Sequence, residues 1–280
     1  MAPPLERAGW QNGEEMPKKI QVHYQVEADD KAISLTAADW IASSVESAVR
    51  ARGVARIAIS GGTGPKRMFK LLADSAHPFR SRIDWKRLLI FFVDERCVPP
   101  DSPDSNYRLA KETFLSKVPL PEENVIRIEG ELEPEEAAAR YESAMRNRFR
   151  LEGAQLPRFD LIVLGMGTNG HTASLFPDSE ALHEMMRLAV ANHVEDKNPW
   201  RITLTWPVIN HADKIFFLIQ DGSKAEVLRE VLLGPYQPET LPSQLIQPEN
   251  GELSFLLDRA AAAKLPQPDA DGRGLLEVSR

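Results

Sequence analysis

A histidine beside a glycine-rich loop is the residue in this chain best suited to proton transfer. His171 follows Gly165-Met166-Gly167 and Thr168-Asn169-Gly170, and the apolar run 161–164 precedes them. An apolar run that ends in glycines predicts a buried strand and a loop, and the residues after His171 suit a short helix limited by Pro177. Backbone N–H groups at such a turn bind anions. An imidazole there can exchange a proton near neutral pH.

The same glycines allow an alternative interpretation as a dinucleotide site. Gly165-x-Gly167-x-x-Gly170 matches the fingerprint of nicotinamide-binding folds. That fingerprint belongs to the first strand–helix unit, with an acid about 20 positions further on at the end of the next strand. Here the loop lies past mid-chain, and the corresponding acid, Glu184, falls in a helix-like stretch. We favour acid–base chemistry at His171 over nicotinamide binding and over a capping or packing role.

A second glycine loop suits a phosphate group. Gly61-Gly62-Thr63-Gly64-Pro65 lies between a predicted strand, 54–60, and a helix predicted over 66–72. It is not a Walker P-loop, because the Gly-Lys-Ser/Thr ending is absent. Backbone N–H groups and the Thr63 hydroxyl can still hold a phosphate. A plain tight turn needs fewer glycines, so we interpret the segment as a ligand loop.

Charged residues follow a third apolar strand, 88–93. Asp94-Glu95-Arg96-Cys97 comes directly after it, and two prolines, Pro99 and Pro100, prevent an immediate helix. A solvated loop is one interpretation, and a binding loop is the other. Ser105-Asn106 then begins a predicted helix through about residue 115, with the serine as its cap.

Composition narrows the class of protein. The net charge is −7 and the isoelectric point about 5.5, with no Lys/Arg cluster, which argues against nucleic-acid binding. The single cysteine, Cys97, excludes an internal disulfide, and no apolar run or signal-peptide pattern predicts a membrane span or secretion, so we expect a cytoplasmic protein. The sequence lacks Gly-x-Ser-x-Gly and metal-binding spacings, so we expect neither a serine nucleophile nor a metal or cofactor.

Strands alternate with helices from residue 20 to residue 265, which predicts an α/β sandwich on a mostly parallel sheet. The predicted strands are 20–26, 54–60, 88–93, 125–128, 161–164, 188–194, 201–205, 214–219 and 253–257. Further helices are predicted over 31–52, 134–152 (ended by Gly153), 179–187, 207–212 and 258–265, with one more from 221–224 to about 233. We interpret 20–265 as one domain, with flexible tails at 1–19 and 266–280.

Topology should bring the loops together. Loops that follow parallel strands lie at one edge of the sheet, and 61–65, 94–97, 165–171 and 221–224 all follow predicted strands. The resulting cleft would hold backbone donors and the side chains of Thr63, Asp94, Arg96, His171 and Lys224, with Arg201 nearby. Cations beside glycine loops suit a phosphate, and a histidine with an acid suits proton transfer. The residues alone therefore predict acid–base chemistry on a phosphorylated small molecule.

Several segments together resemble one family, the 6-phosphogluconolactonases. The matching segments are Ser60 to Pro65, Asp94 to Pro99 with Ser105-Asn106, Gly165 to Pro177, Arg201 to Thr205, Gly222-Ser-Lys224-Ala, Pro242-Ser-Gln-Leu-Ile and Phe255-Leu-Leu-Asp-Arg-Ala-Ala. They run in family order over roughly residues 20–265. The resemblance implies hydrolysis of 6-phospho-D-glucono-1,5-lactone to 6-phosphogluconate in the oxidative pentose phosphate pathway. It also implies a three-layer α/β/α, modified Rossmann-like fold of the sugar-phosphate isomerase/deaminase type.

The resemblance also implies the site. The catalytic residues would be His171, which activates water, Asp94 and Asn169. The substrate would be bound by Gly61, Gly62, Thr63, Arg96, Asn106, Gly167, Gly170, Arg201 and Lys224. The only partner implied is the phosphorylated sugar lactone, without cofactor, metal, nucleic acid or membrane, on a monomer or weak homo-oligomer.

Two positions depart from the family pattern. Family members usually carry Asp at the position of Asn169, and a second hydroxyl residue at the position of Gly64. An amide accepts a hydrogen bond but supplies no charge to the imidazolium, so we expect slower turnover with the activity retained. A non-catalytic sugar-phosphate-binding relative is the alternative. An amino-sugar-phosphate deaminase is a further one, but Arg96 and Phe176 stand where deaminases carry tyrosine and glutamate.

Overall fold

The computed structural model describes residues 19–279, so predictions on residues 1–18 and on residue 280 lie outside the described part of the chain. Its strands are β1 (Lys19–Glu27), β2 (Ala55–Ile59), β3 (Leu88–Phe92), β4 (Asp94–Arg96), β5 (Val125–Ile126), β6 (Leu161–Leu164), β7 (Ala189–His193), β8 (Trp200–Leu204), β9 (Lys214–Ile219), β10 (Glu252–Asp258) and β11 (Arg273–Ser279). All nine predicted strands are present, with ends within two residues of the predicted ones.

Eight strands form the central sheet in the order β11-β1-β10-β9-β6-β2-β3-β5. All neighbours are parallel except β11, which runs antiparallel to β1. The apolar runs of β6 and β9 are buried almost throughout, as expected for central strands covered on both faces. The predicted α/β class and mostly parallel sheet are therefore confirmed.

The α-helices are α1 (Asp30–Arg52), α2 (Lys66–Ala73), α3 (Phe79–Arg82), α4 (Asn106–Thr113), α5 (Pro134–Phe149), α6 (Trp206–Asn210) and α7 (Ala225–Leu233). Sequence signals explain the ends of α1 and the start of α4. The Asp29 side chain accepts the N–H of Ala32, and Gly53 ends α1 in the left-handed conformation. Ser105 caps α4 as predicted, accepting the N–H of Arg108.

Helices cover both faces of the sheet. Trp40 of α1 packs edge-on against Phe216, whereas Phe149 of α5 packs against Phe91. Strand register puts Phe91 and Phe216 on opposite faces, because Phe91 aligns through β2 and β6 with the residue directly before Phe216. The arrangement is therefore the predicted three-layer sandwich.

A small second sheet was not predicted. Its order is β4-β8-β7, and both pairings are antiparallel. Asp94–Arg96, expected to be a loop, pairs with Arg201–Thr203 as an edge strand. Three charged residues carry no strand pattern, and their partner lies more than a hundred residues further along the chain. The pairing has a direct consequence, since Arg96 and Arg201 are brought opposite each other.

Five other predictions need correction. The tail 266–280 is not loose throughout, because Arg273–Ser279 pairs with β1 over seven residues. No helix follows His171, where a turn is closed by a bridge between Thr172 and Leu175. The helix predicted over 179–187 is only a 3₁₀ turn, Glu180–His183, and 258–265 likewise contains only the 3₁₀ turn Ala261–Lys264. Helix α5 ends at Phe149, where Arg150 adopts the left-handed cap expected of Gly153.

Candidate active site

The loops that follow β2, β3, β6 and β9 meet at one edge of the sheet, as the topology predicts, and enclose a cleft of about 320 Å³. Among the predicted site residues, those that line it are Gly61, Gly62, Thr63, Asp94, Arg96, Asn106, Gly167, His171, Arg201 and Lys224. Asn169 and Gly170 are not in the lining and lie behind His171. Clefts of this size hold small metabolites.

The loop after β2 presents unused hydrogen-bond donors. The backbone N–H groups of Gly61, Gly62, Thr63 and Gly64 have no acceptor within residues 19–279. Gly62 has a φ of +87°, and a Cβ on Gly61 would lie 1.8 Å from Oδ1 of Asn106, so both positions require glycine. Four successive N–H groups without acceptors ahead of helix α2 are an arrangement suited to an anion.

His171 is oriented by the side chain of Asn169. The Asn169 Oδ1 atom lies 2.5 Å from Nδ1 of the imidazole and 3.3 Å from the backbone N of His171. Because the backbone N–H is a donor, the shared atom is the amide oxygen, and Nδ1 must carry the proton. Nε2 is then the basic nitrogen, and it has no hydrogen-bond partner among residues 19–279.

The environment of His171 favours its neutral form. Burial, and after it the positive charges of Lys224, Arg201 and Arg96, together lower the pKa of the imidazole to about 4. The ring is stacked on Phe176 with 4.1 Å between centroids. His171 is therefore an unprotonated base at neutral pH.

The glycines of the histidine loop make room for the imidazole. A Cβ on Gly167 would lie 2.2 Å from the His171 ring, and Gly170 has a φ of +79°. The N–H of Gly167 donates to the carbonyl of His171, and the N–H of Gly170 donates to the carbonyl of Gly167. These two amides are used within the loop. They are therefore not available to a ligand, in contrast to the amides of the loop after β2.

Asp94 is buried at the floor of the cleft. Its carboxylate accepts hydrogen bonds from Ser174 Oγ at 2.7 Å and from Asn106 Nδ2 at 3.2 Å. Burial raises the pKa of Asp94, while Ser174 and the neighbouring Arg96 and Arg201 oppose the rise. The carboxylate therefore fixes Ser174 and Asn106 in the wall of the cleft.

Glu95 acts as an anchor for helix α4. Its buried carboxylate accepts hydrogen bonds from the N–H groups of Asn106 and Tyr107, each at 2.8 Å, and from Ser105 Oγ at 3.0 Å. Burial raises the pKa of Glu95, and these hydrogen bonds oppose the rise. Helix α4 is tied to β4 in this way, which holds Asn106 against Gly61.

Three cations face the cleft. Arg96 donates from Nη1 to the Asp104 carbonyl at 2.7 Å and to Asn106 Oδ1 at 3.2 Å. Arg201 is almost fully buried and bonds to the Asn198 carbonyl and the Asp196 carboxylate. The ammonium group of Lys224 forms no hydrogen bond or ion pair within residues 19–279, and burial lowers its pKa. The cleft is therefore lined by more cations than carboxylates, since among the described residues only Asp94 and Asp196 face Arg96, Arg201 and Lys224, although the whole chain is acidic.

The sequence interpretation assigned no role to two of these residues. Ser174 lay within the recognised segment 165–177, but nothing local indicated that it would reach Asp94. Asp196 lies in the loop between β7 and β8, which carries no glycine or strand-end signal. Its place in the cleft follows only from the pairing of β4 with β8.

Residues 19–279 contain neither a metal-binding cluster nor a membrane-spanning helix. Within residues 19–279, no group of three His, Cys, Asp or Glu side chains is arranged to hold a metal ion. No helix of that region is long and apolar enough to span a membrane.

Comparison with known proteins agrees with this geometry. The sequence profile of glucosamine-6-phosphate isomerases/6-phosphogluconolactonase matches residues 28–255. A 6-phosphogluconolactonase from Synechocystis sp. is 38% identical over 226 residues, which cover 80% of this chain and 90% of that protein. The chain belongs to the 6-phosphogluconolactonase family.

Other relatives of this lactonase family agree over most of the chain. The 6-phosphogluconolactonase from Trypanosoma cruzi superposes with a TM-score of 0.75 at 29% identity, covering 86% of this chain and 96% of that one. A protein of Arabidopsis thaliana named 6-phosphogluconolactonase 3, chloroplastic, is 35% identical over 260 residues, covering 90% of this chain and 77% of that protein. Members of the family are lactone hydrolases with this α/β fold.

Proposed function

We propose that this protein hydrolyses 6-phospho-D-glucono-1,5-lactone to 6-phospho-D-gluconate, the lactone-opening step of the oxidative pentose phosphate pathway. Membership of the lactonase family supports the substrate. The observation that carries the chemistry is the neutral imidazole of His171, whose unpartnered Nε2 shares one cleft with three cations and a loop of free amides.

His171 is the general base in this proposal. Nε2 takes a proton from a water molecule as the water oxygen attacks the lactone carbonyl carbon, C1. The resulting tetrahedral intermediate bears one negative oxygen. When it collapses, the bond between C1 and the ring oxygen breaks, and the imidazolium returns its proton to that oxygen. The products are a hydroxyl group and a carboxylic acid, which releases its proton to water and becomes the carboxylate, and His171 is again neutral.

In this proposal, different groups of the cleft bind the phosphate and the lactone end of the substrate. The amides of Gly61 to Gly64, the Thr63 hydroxyl, Lys224 and Arg201 bind the 6-phosphate in this proposal. Arg96 stabilises the developing oxyanion near His171. Asp94 and Asn106 hold the sugar hydroxyls and keep Arg96 in place, which is consistent with the contact between Arg96 and Asn106.

Asn169 fixes the tautomer of His171 without supplying a charge. Its amide oxygen keeps the proton on Nδ1, so Nε2 stays available as the acceptor. Because an amide carries no charge, no ion pair with Asn169 stabilises the imidazolium formed during the reaction. We therefore propose retained activity at a reduced rate.

The test is a lactone-opening assay on the purified protein. The lactone is generated in solution, the appearance of 6-phosphogluconate is followed, and the spontaneous rate without protein is subtracted. We expect a rate clearly above the spontaneous one. Binding of 6-phosphogluconate without any added rate would instead support the non-catalytic sugar-phosphate-binding alternative. Release of ammonia from glucosamine 6-phosphate would support the deaminase alternative.

Compartment and assembly remain predictions from the sequence. The cytoplasm is the predicted location, and one of the relatives above is named as chloroplastic. A monomer or weak homo-oligomer is the predicted assembly, and cell fractionation and light scattering test these two points.

A further inference from the structure

One of the three cations that face the cleft is already paired with an acidic side chain. Asp196 lines the cleft, and its Oδ2 atom is ion-paired with Nη2 of Arg201. The Arg201 side chain is 3% exposed, whereas that of Asp196 is 49% exposed. Asp196 is the only carboxylate within 4 Å of Arg201 in residues 19–279. Asp196 is therefore the carboxylate in direct contact with this buried cation, and it reaches Arg201 from the solvent side, while the buried Asp94 acts on Arg201 only at longer range.

The proposed substrate brings a second anion to the same place. Arg201 already bonds to the Asn198 carbonyl through Nη1, and the positive charge of Arg96 also acts on it. A doubly charged phosphate in contact with Arg201 would be repelled by a carboxylate held there. A half-exposed side chain can turn into water at little cost, whereas the buried guanidinium cannot.

The loop that carries Asp196 has its own anchors. The Asp104 carboxylate accepts hydrogen bonds from Lys197 Nζ at 2.9 Å and from Asn198 Nδ2 at 3.0 Å. The Asp104 carbonyl also accepts a hydrogen bond from Arg96. The Asp196 side chain contacts the loop through Oδ1, which accepts the N–H of Lys197 at 2.6 Å. Since the contacts to Asp104 do not involve Asp196, its Oδ2 can leave Arg201 without releasing the loop.

We propose that Asp196 is a resident counter-anion of Arg201 that the phosphate of the substrate must displace. Asp196 is thus a residue that sets the affinity of Arg201 for anions, and it acts on phosphorylated ligands but not on unphosphorylated ones. The identity of the displacing group rests on the proposed function. The competition between Asp196 and an anion for Arg201 rests on the ion pair alone.

Two charge-neutral variants test the competition. Asp196→Asn keeps a hydrogen-bonding group beside Arg201 but removes its charge. Glu195→Gln, on the adjacent exposed residue, removes the same charge without a contact to Arg201 and serves as the matched control. Calorimetric titration measures binding of inorganic phosphate and of 6-phosphogluconate to each protein. The pair is half-exposed, so we expect binding to Asp196→Asn to be about two- to five-fold tighter. Glu195→Gln should match the wild type.

Kinetics provide a second readout. In Asp196→Asn, KM for the phosphorylated lactone should fall by a similar factor with kcat retained, because His171 is already neutral at pH 7.5. KM for unphosphorylated glucono-1,5-lactone should not change. Asp196→Ala, checked for an unchanged melting temperature, must reproduce the tighter binding. Unchanged or weaker phosphate binding in both variants, or a loss of kcat at constant KM, would overturn the proposal.

The two proposals fail separately. If the wild type opens no lactone while Asp196→Asn binds inorganic phosphate more tightly, the proposed function is wrong and the competition at Arg201 stands. If the wild type is active and neither variant binds phosphate more tightly, the proposed function stands and the competition is wrong.

Discussion

Strands β2, β6 and β9 begin at one side of the central sheet, the amino edge, and end at the other, the carboxyl edge. The two edges differ in how their charged groups are paired. At the amino edge, the buried Asp160 carboxylate accepts hydrogen bonds from Arg52 and from the Arg56 N–H, and Asp213 pairs with Arg52 and Arg158. Acidic and basic side chains neutralise one another there.

At the carboxyl edge the donors and cations are largely unpaired. The amides of Gly61 to Gly64 and the ammonium group of Lys224 have no acceptor within residues 19–279, and Arg201 has only a half-exposed partner. Exposed or half-buried amides and cations without partners add little to stability but are available to bind an anion. The comparison indicates that the amino edge contributes to stability and the carboxyl edge to function.

The largest effect is expected from His171→Ala. Loss of the general base should reduce the enzymatic rate by about 10²- to 10⁴-fold, the usual range for such a group. The melting temperature should not fall, because the imidazole is at the carboxyl edge. The lactone assay and a thermal melt measure both, with His183→Ala, outside the cleft, as control. A surviving rate would show that the base is elsewhere.

At the amino edge, a substitution should lower stability and leave activity unchanged. Asp160→Asn removes a buried charge that holds Arg52 and the Arg56 N–H, so the free energy of unfolding should fall by about 1–3 kcal/mol. The kcat/KM value should not change, because Asp160 lies at the opposite ends of the strands. Urea titration measures the stability, and Asp84→Asn, at an exposed pair with Arg87, is the control. A large loss of activity at full stability would contradict the division between the edges.

Lys224→Met tests whether an unpaired cation weakens the fold while it binds substrate. Loss of one phosphate contact should raise KM about ten-fold, a loss of about 1.4 kcal/mol in binding. Removal of a partly desolvated, unpaired charge should leave the melting temperature equal or higher. Lys70→Met, on the exposed side of α2, should change neither value. A lower melting temperature with normal KM would place Lys224 among the stabilising charges.

The smallest effect is expected from Asn169→Asp. In the wild type the base is neutral above about pH 5, and activity should fall as pH drops through the His171 pKa of about 4. A carboxylate at residue 169 stabilises the imidazolium, so the acid limb of the kcat/KM profile should move to higher pH. A more basic imidazole should raise the rate at pH 7.5, by roughly three- to ten-fold. Asn169→Ala, which removes the acceptor, should slow the reaction, and an unmoved acid limb in Asn169→Asp would contradict the role of this contact.

Much of the main sheet could be predicted because its signals are local. The apolar runs of β3, β6 and β9 and the glycines after them are contiguous in the chain, so strand type and loop position can be read directly. The rule that loops after parallel strands share an edge then predicted that Thr63, His171 and Lys224 would meet. The structure places all three in one cleft.

Other features had no local signal. Strand β4 consists of three charged residues, so it is a strand only because a distant strand offers hydrogen bonds. Strand β11 follows a polar segment, and its alternation is limited to Leu276 and Val278, which is too short to predict a strand. The helix expected after His171 is absent, because the loop closes on itself through the amides of Gly167 and Gly170.

The sequence by itself determined the α/β class, the two glycine loops and the histidine between strand and turn, since each depends on residue types within a few positions. Only the tertiary structure decided that Asp94 is buried against Ser174 and that Asp196 faces Arg201. Those relations depend on distances between separate segments. The charge state of His171 follows from them too, because burial and three cations from different parts of the chain together lower its pKa.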